Sequence, residues 1–297
     1  MAALLLAAGL LGQGPAAEVV RTGDVNVRGL KSADFPRVRQ LATNVYTFEQ
    51  IDPTKRTVTV NNLVVVSDAG VLVAEGQGTA ENVNLLKSAI RNLTSQPIRY
   101  VVVGSEHGDH TGGDEAFGGD VTFLVHPKSK ASVERRLKGP IETVSDKRVL
   151  QLGATEVDVL FLGRAHTGGD LEVYVPQQRI LFMSEVFSNR IFPSMANGYP
   201  SEWIATLKKA EQIAPAWFVP AHGFVDGAAI LAEEERNYRA AIERIVSEGT
   251  RLHDRGVDAE NAAASAVLEP YDAWTRAGNN AFQAIKRVYQ ELDGGLK

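Results

Sequence analysis

The sequence has no cysteine. Disulfides, thiol nucleophiles, iron–sulfur clusters and cysteine-ligated zinc sites are therefore excluded. An excess of positive charge is also absent, because 31 Lys and Arg face 36 Asp and Glu for a formal net charge of −5. Without a basic surface we expect no nucleic-acid partner. Any metal must be held by the six histidines and by carboxylates.

Long apolar runs are missing as well, since the longest candidate, Ala2–Leu11, is shorter than the about 20 residues that span a bilayer. With 44% hydrophobic and 23% charged residues the 297-residue chain has the composition of a globular protein. We expect one α/β domain over residues 18–297 that ends in helices, with a small molecule as its partner. Its oligomeric state is not indicated.

The N-terminus has the features of an export signal. The apolar run ends in small residues, and cleavage is expected near Ala16 or Ala17. We therefore predict a signal peptide at residues 1–17, a periplasmic or secreted protein, and no membrane association after cleavage. A frayed terminus is the alternative, because no Lys or Arg precedes Leu11.

Strand-like apolar stretches alternate with stretches of helical periodicity. Thr79 is expected to cap one helix and Ser201 another that ends at Ile213. The predicted strands are Asn44–Phe48, Thr57–Ser67, Val71–Ala74, Ile98–Val103, Val121–Val125, Val157–Leu162, Leu171–Val175, Ile180–Met183 and Trp217–Val219. Further helices are predicted at Ser129–Leu137, Ile230–Ser247 and Ala281–Leu292.

Four of these strands are each followed by residues that can bind a metal. The candidates are His107, Asp109 and His110 after the Ile98–Val103 strand, then His166, Glu185 and His222 after three later strands. Loops after strands are where a rigid scaffold presents catalytic groups. Imidazole and carboxylate are good zinc ligands, so the pattern predicts a metal site. His126 and His253 are interpreted as structural and solvated residues.

The segment Ser105–Gly113 resembles the His-x-His-x-Asp-His signature of the metallo-β-lactamase-fold hydrolases. Further similar segments follow in the family's order, at Gly163–Asp170, Leu181–Glu185 and Val219–Gly223. The resemblance implies an α/β protein with an αβ/βα four-layer sandwich of two mixed sheets flanked by helices. It also implies one or two metal ions, usually zinc, at one edge of the sheets, with the C-terminal helices outside one sheet.

The resemblance also assigns roles to residues. The first metal would be held by His107 and His166, the second by Asp109, His110 and His222, and Glu185 stands where many members have a bridging aspartate. Asp109 would in addition orient a metal-bound hydroxide, which makes it the candidate catalytic residue. The implied activity is zinc-dependent hydrolysis of an ester, lactone, amide or related bond.

Three positions depart from the family pattern. Ser105 replaces the first histidine, Glu185 replaces an aspartate, and Glu75 replaces an aspartate that supports the ligands. Three outcomes stay open: a mononuclear enzyme at the second site, a first site completed by Glu185 or Glu106, or loss of metal chemistry.

Two other functions compete with hydrolysis. A mononuclear iron oxygenase of sulfur compounds, a branch of the same fold, would use two histidines and a carboxylate, here Asp109, His110 and His222. A binding protein that keeps the fold without the chemistry is the other.

The loop Phe187–Tyr199 follows Glu185 and is a candidate wall for the substrate. Within it, Arg190, Phe192 and Tyr199 are the predicted substrate-binding residues, because apolar and aromatic groups line pockets and Arg binds carboxylates. A packing loop is the alternative.

Overall fold

The computed structural model describes residues 19–296. The predicted signal peptide, residues 1–17, lies outside them, and export stays a prediction. The strands are β1 Arg37–Ala42, β2 Val45–Ile51, β3 Thr59–Ser67, β4 Gly70–Ala74, β5 Ile98–Val103, β6 Thr122–Val125, β7 Ile141–Thr143, β8 Lys147–Leu152, β9 Thr155–Leu160, β10 Glu172–Val175, β11 Ile180–Phe182 and β12 Trp217–Val219. The α-helices are α1 Ala80–Leu93, α2 Gly108–Thr111, α3 Pro127–Val133, α4 Pro200–Gln212, α5 Ala228–Asp254, α6 Ala259–Ser265 and α7 Ala277–Leu292.

The strands form two mixed sheets. The first runs β1-β2-β3-β4-β5-β6-β7, antiparallel as far as β4 and parallel from β4 to β7. The second runs β12-β11-β10-β9-β8, antiparallel except for the parallel pair β11 and β12. Strands β10 and β11 form an antiparallel hairpin.

The burial of both faces of β3 explains why the first sheet is covered by another layer on each side. All nine of its residues are buried. Leu63 and Val65 point into the core shared with the second sheet, whereas Val64 and Val66 pack toward Val83 and the rest of α1. Because side chains alternate along a strand, a strand that is apolar on both sides needs a layer on each. The first sheet therefore lies between α1 and the second sheet.

The C-terminal helices cover the outer face of the second sheet. Helix α5 packs on β12, and α4 and α7 pack on α5. The indole of Trp203 in α4 donates to the carbonyl of Val186 at 2.9 Å, which ties this layer to the segment after β11. The predicted αβ/βα four-layer sandwich is confirmed. Within residues 19–296 no helix is both long and apolar enough to cross a membrane.

Several local predictions needed correction. Ser201 does not cap α4, because the helix begins at Pro200 and Ser201 lies inside its first turn, where its hydroxyl donates to Glu291 at 2.7 Å. Thr79 does cap α1 and accepts from the amide of Asn82. Strands β1, β7 and β8 and helix α6 were not predicted. The first four residues of β1 are exposed, so that strand lacks the apolar pattern used to find the others.

Candidate metal centre

The six candidate ligands lie at one edge of the two sheets. Strand β5 leads to His107 and to α2, which carries Asp109 and His110. In the second sheet β9, β11 and β12 run in the same direction, so their ends bring His166, Glu185 and His222 to that same edge. Glu185 lies in a single turn of 3-10 helix, Ser184–Val186. The sequence order thus places all six side chains within one cluster, as predicted.

One group of possible ligands contains Asp109, His110, Glu185 and His222. The Nε2 atoms of His110 and His222 are 3.1 Å apart. Oε1 of Glu185 lies 3.5 Å from Nε2 of His110 and 3.3 Å from Nε2 of His222. Oδ2 of Asp109 lies 3.8 and 3.5 Å from the same two nitrogens. Four donor atoms therefore converge on one point.

A second group contains His107, His166 and the same Glu185. Oε2 of Glu185 is 2.9 Å from Nδ1 of His107 and 3.1 Å from Nε2 of His166, and these nitrogens are 3.0 Å apart. The hydroxyl of Ser105 donates to this oxygen at 2.5 Å. Glu185 thus presents one oxygen to each group, and Ser105 supports the carboxylate. Glu106 belongs to neither group of the described residues.

The spacing of these atoms fits metal coordination. Zinc bound at 2.0–2.1 Å in a tetrahedron keeps its ligand atoms about 3.3 Å apart. The separations that involve a histidine nitrogen run from 2.9 to 3.8 Å, and all ligand atoms within each group lie within 4.8 Å of one another. The Nε2 atoms of His110 and His222 lie 3.1 Å apart, within hydrogen-bond distance of each other, and a bound cation would take the lone pairs of both nitrogens.

Buried partners orient the two facing imidazoles. Nδ1 of His222 donates to the carbonyl of Thr59 at 2.7 Å, so its Nε2 is the nitrogen left for a metal. Nδ1 of His110 lies 2.6 Å from Oε2 of Glu75, which favours a proton on that nitrogen. Ser184 donates to the other oxygen of Glu75. The supporting position assigned to Glu75 agrees with this contact.

Glycine is required where the two sheets meet behind the cluster. A Cβ atom at Gly104 would lie 2.5 Å from Oε1 of Glu75 and 2.7 Å from Oγ of Ser184. A larger residue would therefore displace the partners of His110. Ser184 itself has a φ of 49°, a left-handed conformation that the segment keeps directly before Glu185.

Charges inside the cluster shift the pKa values of its side chains in the direction opposite to the effect of burial. Burial raises the pKa of Glu185, but the positive charges of His166 and His110, together with a hydrogen bond from His107, hold that pKa well below its usual range. Burial also raises the pKa of Asp109, but the positive charges of His110, His222 and Lys55 together hold it below its ordinary value. For His110 burial lowers the pKa, while Glu75, Glu185 and Asp109 raise it above its ordinary value. Both carboxylates are thus ionised, the form that binds a cation.

Lys55 belongs to the site and was missed by the sequence analysis. Its Nζ donates to Oδ2 of Asp109 and lies 3.3 Å from Oδ2 of Asp52. It comes from the loop between β2 and β3, 54 positions before Asp109, and no motif marks it. Its ammonium holds Asp109 in place beside the cluster.

The structure brings only part of the predicted substrate wall to the cavity at this cluster. Phe192 lines that cavity. Arg190 is directed elsewhere: its Nε lies 2.6 Å from Oε2 of Glu234, and it lines a separate surface pocket. The ring of Tyr199 lies 4.1 Å from the guanidinium carbon of Arg164, outside the residues that line the cavity.

The two remaining histidines lie apart from both groups. His126 begins α3, accepts from the amide of Lys128 at 3.2 Å and stacks on Phe161. Nε2 of His253 lies 3.1 Å from Oδ1 of Asp293 at the surface. Both contacts agree with their interpretation as structural and solvated side chains.

Sequence comparisons find distant relatives, and no family model matches the chain. The 2,4-dinitroanisole O-demethylase subunit alpha of Nocardioides sp. (strain JS1661) is 21% identical over 168 residues, which cover 54% of this chain and 51% of that protein. The chain thus spans about half the length of that relative. The metallo-β-lactamase type 2 of Bacillus sp. (strain 170) is 23% identical over 183 residues, 58% of this chain and 69% of that protein.

Solved structures show the same architecture. A metallo-β-lactamase from Pontibacter korlensis superposes with a TM-score of 0.59 at 22% identity, covering 69% of this chain and 98% of that one. The stereoselective inverting sec-alkylsulfatase Pisa1 from Pseudomonas sp. superposes with a TM-score of 0.68 at 14% identity, covering 87% of this chain and 50% of that one. The protein has the metallo-β-lactamase fold, as its motifs indicated.

Proposed function

We propose that the protein is a hydrolase that uses two zinc ions, one in each ligand group. One observation carries the proposal: Glu185 turns one carboxylate oxygen toward His107 and His166 and the other toward His110 and His222. Two groups of donors that share a carboxylate are the arrangement expected of a dinuclear centre. A lone site would leave one of these groups unexplained.

The named relatives support hydrolysis. Two of these proteins are named metallo-β-lactamases, and a third is named an alkylsulfatase. Zinc in such a site supplies a Lewis acid and lowers the pKa of its bound water to about 7. The bond class proposed is an ester, lactone, amide or related bond.

The chain's own residues position the groups that act on the substrate. Glu185 fixes the distance between the two groups, and Thr59 and Glu75 fix the imidazole planes of His222 and His110. Asp109 is the group we assign to orient the attacking water. Lys55 donates to Oδ2 of Asp109, the same oxygen that faces His110 and His222.

Metal removal and restoration test the proposal. Purified protein should contain about two zinc ions, lose esterase activity toward p-nitrophenyl acetate after chelation, and recover it with zinc. His110→Ala should abolish turnover, while His253→Ala, a surface control, should retain it. Full activity in metal-free protein or in His110→Ala would refute the proposal.

A second function is favoured by the three-donor group. His107, His166 and Glu185 form a set of two histidines and one carboxylate, which suits iron(II) in oxygenases. This set differs from the Asp109, His110 and His222 set expected from the sequence. Elemental analysis after anaerobic purification separates the two functions, because zinc without iron eliminates the oxygenase.

A further inference from the structure

Arg276 lines the same cavity as the candidate ligands. It precedes α7, far along the chain from every predicted site residue. Within residues 19–296 its guanidinium makes no hydrogen bond or ion pair, in contrast to Arg190, which pairs with Glu234. An arginine beside a polar cavity without a carboxylate partner has donors to offer a ligand.

The backbone holds Arg276 in place at a conformational cost. Its φ is 66°, in the left-handed region that side chains other than glycine rarely adopt. The preceding residue, Thr275, accepts from the amide of Phe192 at 2.9 Å and donates its own amide to Arg190 at 3.2 Å. Asn280 donates its side-chain amide to the carbonyl of Phe192 at 2.9 Å. Residues kept in strained conformations by their surroundings cluster at ligand sites.

The remaining wall of the cavity combines a second cation, apolar residues and neutral polar residues. Lys55 provides a second positive side chain, and Val58, Ile191 and Phe192 provide apolar surface. Among the described residues that line the cavity, the acidic side chains are those assigned to the metals, Asp109 and Glu185. Nothing acidic is left to neutralise Arg276, so an anion is the ligand that balances this wall.

We propose that Arg276 binds an anionic group of the substrate, which is therefore an organic anion with an apolar portion. A guanidinium offers paired donors that match a sulfate, phosphate or carboxylate. The apolar portion would lie against Val58, Ile191 and Phe192. This proposal rests on the proposed hydrolase function, because it names the class of compound that reaches the same metal centre.

Binding of matched six-carbon probes tests the proposal by calorimetry, without catalysis. Hexyl sulfate, hexyl phosphate and hexanoate have six carbons each, as neutral hexanol does, and differ in the head group. At least one anion should bind more tightly than hexanol by about tenfold, as expected for a charge-assisted pair. The anion that binds most tightly identifies the preferred head group. Equal affinity for hexanol and all three anions would overturn the proposal.

Variants at position 276 assign the effect to the guanidinium. Arg276→Gln should weaken anion binding by about tenfold, whereas Arg276→Lys, which keeps the charge, should lose less. Arg276→Gly removes the charge and also relieves the backbone strain at this position. This variant must therefore lose anion binding without losing thermal stability. Arg179→Gln is the matched control, because Arg179 has a φ of 53° in the hairpin turn between β10 and β11, away from the cavity. Unchanged affinity in Arg276→Gln and Arg276→Gly would refute the assignment.

Two independent readouts separate this inference from the hydrolase proposal. Zinc-dependent hydrolysis of p-nitrophenyl acetate, a neutral ester, tests the centre and does not need Arg276. If that activity is present but Arg276→Gln binds the anions like wild type, the inference fails and the hydrolase stands. If no zinc-dependent hydrolysis occurs but Arg276→Gln loses anion binding, the hydrolase proposal fails and the anion site stands.

Discussion

Replacing Glu185 with glutamine should reduce the zinc content from two ions to one. The substitution keeps the shape of the side chain and removes its charge. Oε2 is one of three donors in the group with His107 and His166, which would be left with two imidazoles. Two protein ligands fall short of the three that catalytic zinc sites use. The other group would keep Asp109, His110 and His222, which meets that number.

The magnitude follows from these ligand counts. Removing a partner of a zinc ligand already costs about 10–100-fold in affinity, so loss of a direct ligand should cost at least about 100-fold at the three-donor group. Dialysis of Glu185→Gln against micromolar free zinc, followed by elemental analysis, should therefore give close to one ion per chain. Glu172→Gln is the matched control, because Glu172 is equally buried and lies outside both groups. Two ions retained in Glu185→Gln would refute the shared-carboxylate argument.

Three further substitutions test other parts of the account. Lys55→Met removes a cation beside Asp109 and should tighten zinc binding by about tenfold in competition with a chromophoric chelator; weaker binding would contradict this. A Cβ at Gly113 would lie 2.2 Å from the backbone oxygen of the residue that caps α1, so Gly113→Ala should lose about 1–3 kcal/mol in urea unfolding. Gly278→Ala, where nothing lies within 4 Å, should not. Burial raises the pKa of Glu235 from 4.5 to about 8, so its stabilising contribution is complete below pH 4.5 and is lost as the pH rises through 8. Glu235→Gln should remove that pH-dependent loss of stability, which is at most roughly 5 kcal/mol between pH 5 and 9. Parallel pH profiles of the free energy of unfolding in the two proteins would contradict this prediction.

Most of the strands and the candidate ligands were predictable because they follow local rules. An apolar strand such as Ile98–Val103 is recognised from its own residues, and a ligand such as His107 is recognised from the motif that follows it. The four-layer sandwich itself was implied by the family resemblance, and strands with two apolar faces agree with it because they need layers on both sides. The segment after β5 also carries three of the six candidates within four residues, so their proximity was inherent in the sequence.

The features of the site that the sequence did not predict depend on contacts between distant segments. Lys55 reaches Asp109 across the fold, and the carbonyl of Thr59 that orients His222 is a backbone atom without a sequence signal. Arg276 is brought to the cavity because its neighbour Thr275 pairs with Ile191 in the loop after Glu185. No periodicity in the sequence predicts that pairing. Arg190 was assigned to the substrate wall from its place in that loop, but the buried carboxylate of Glu234 takes its guanidinium.

Diffraction from zinc-loaded crystals at the zinc absorption edge tests the central claim most directly. The account predicts two anomalous peaks, one beside His107 and His166 and one beside Asp109, His110 and His222. Both peaks should touch the carboxylate of Glu185. Imidazoles that point away from each other, with no anomalous peak between them, would contradict the account.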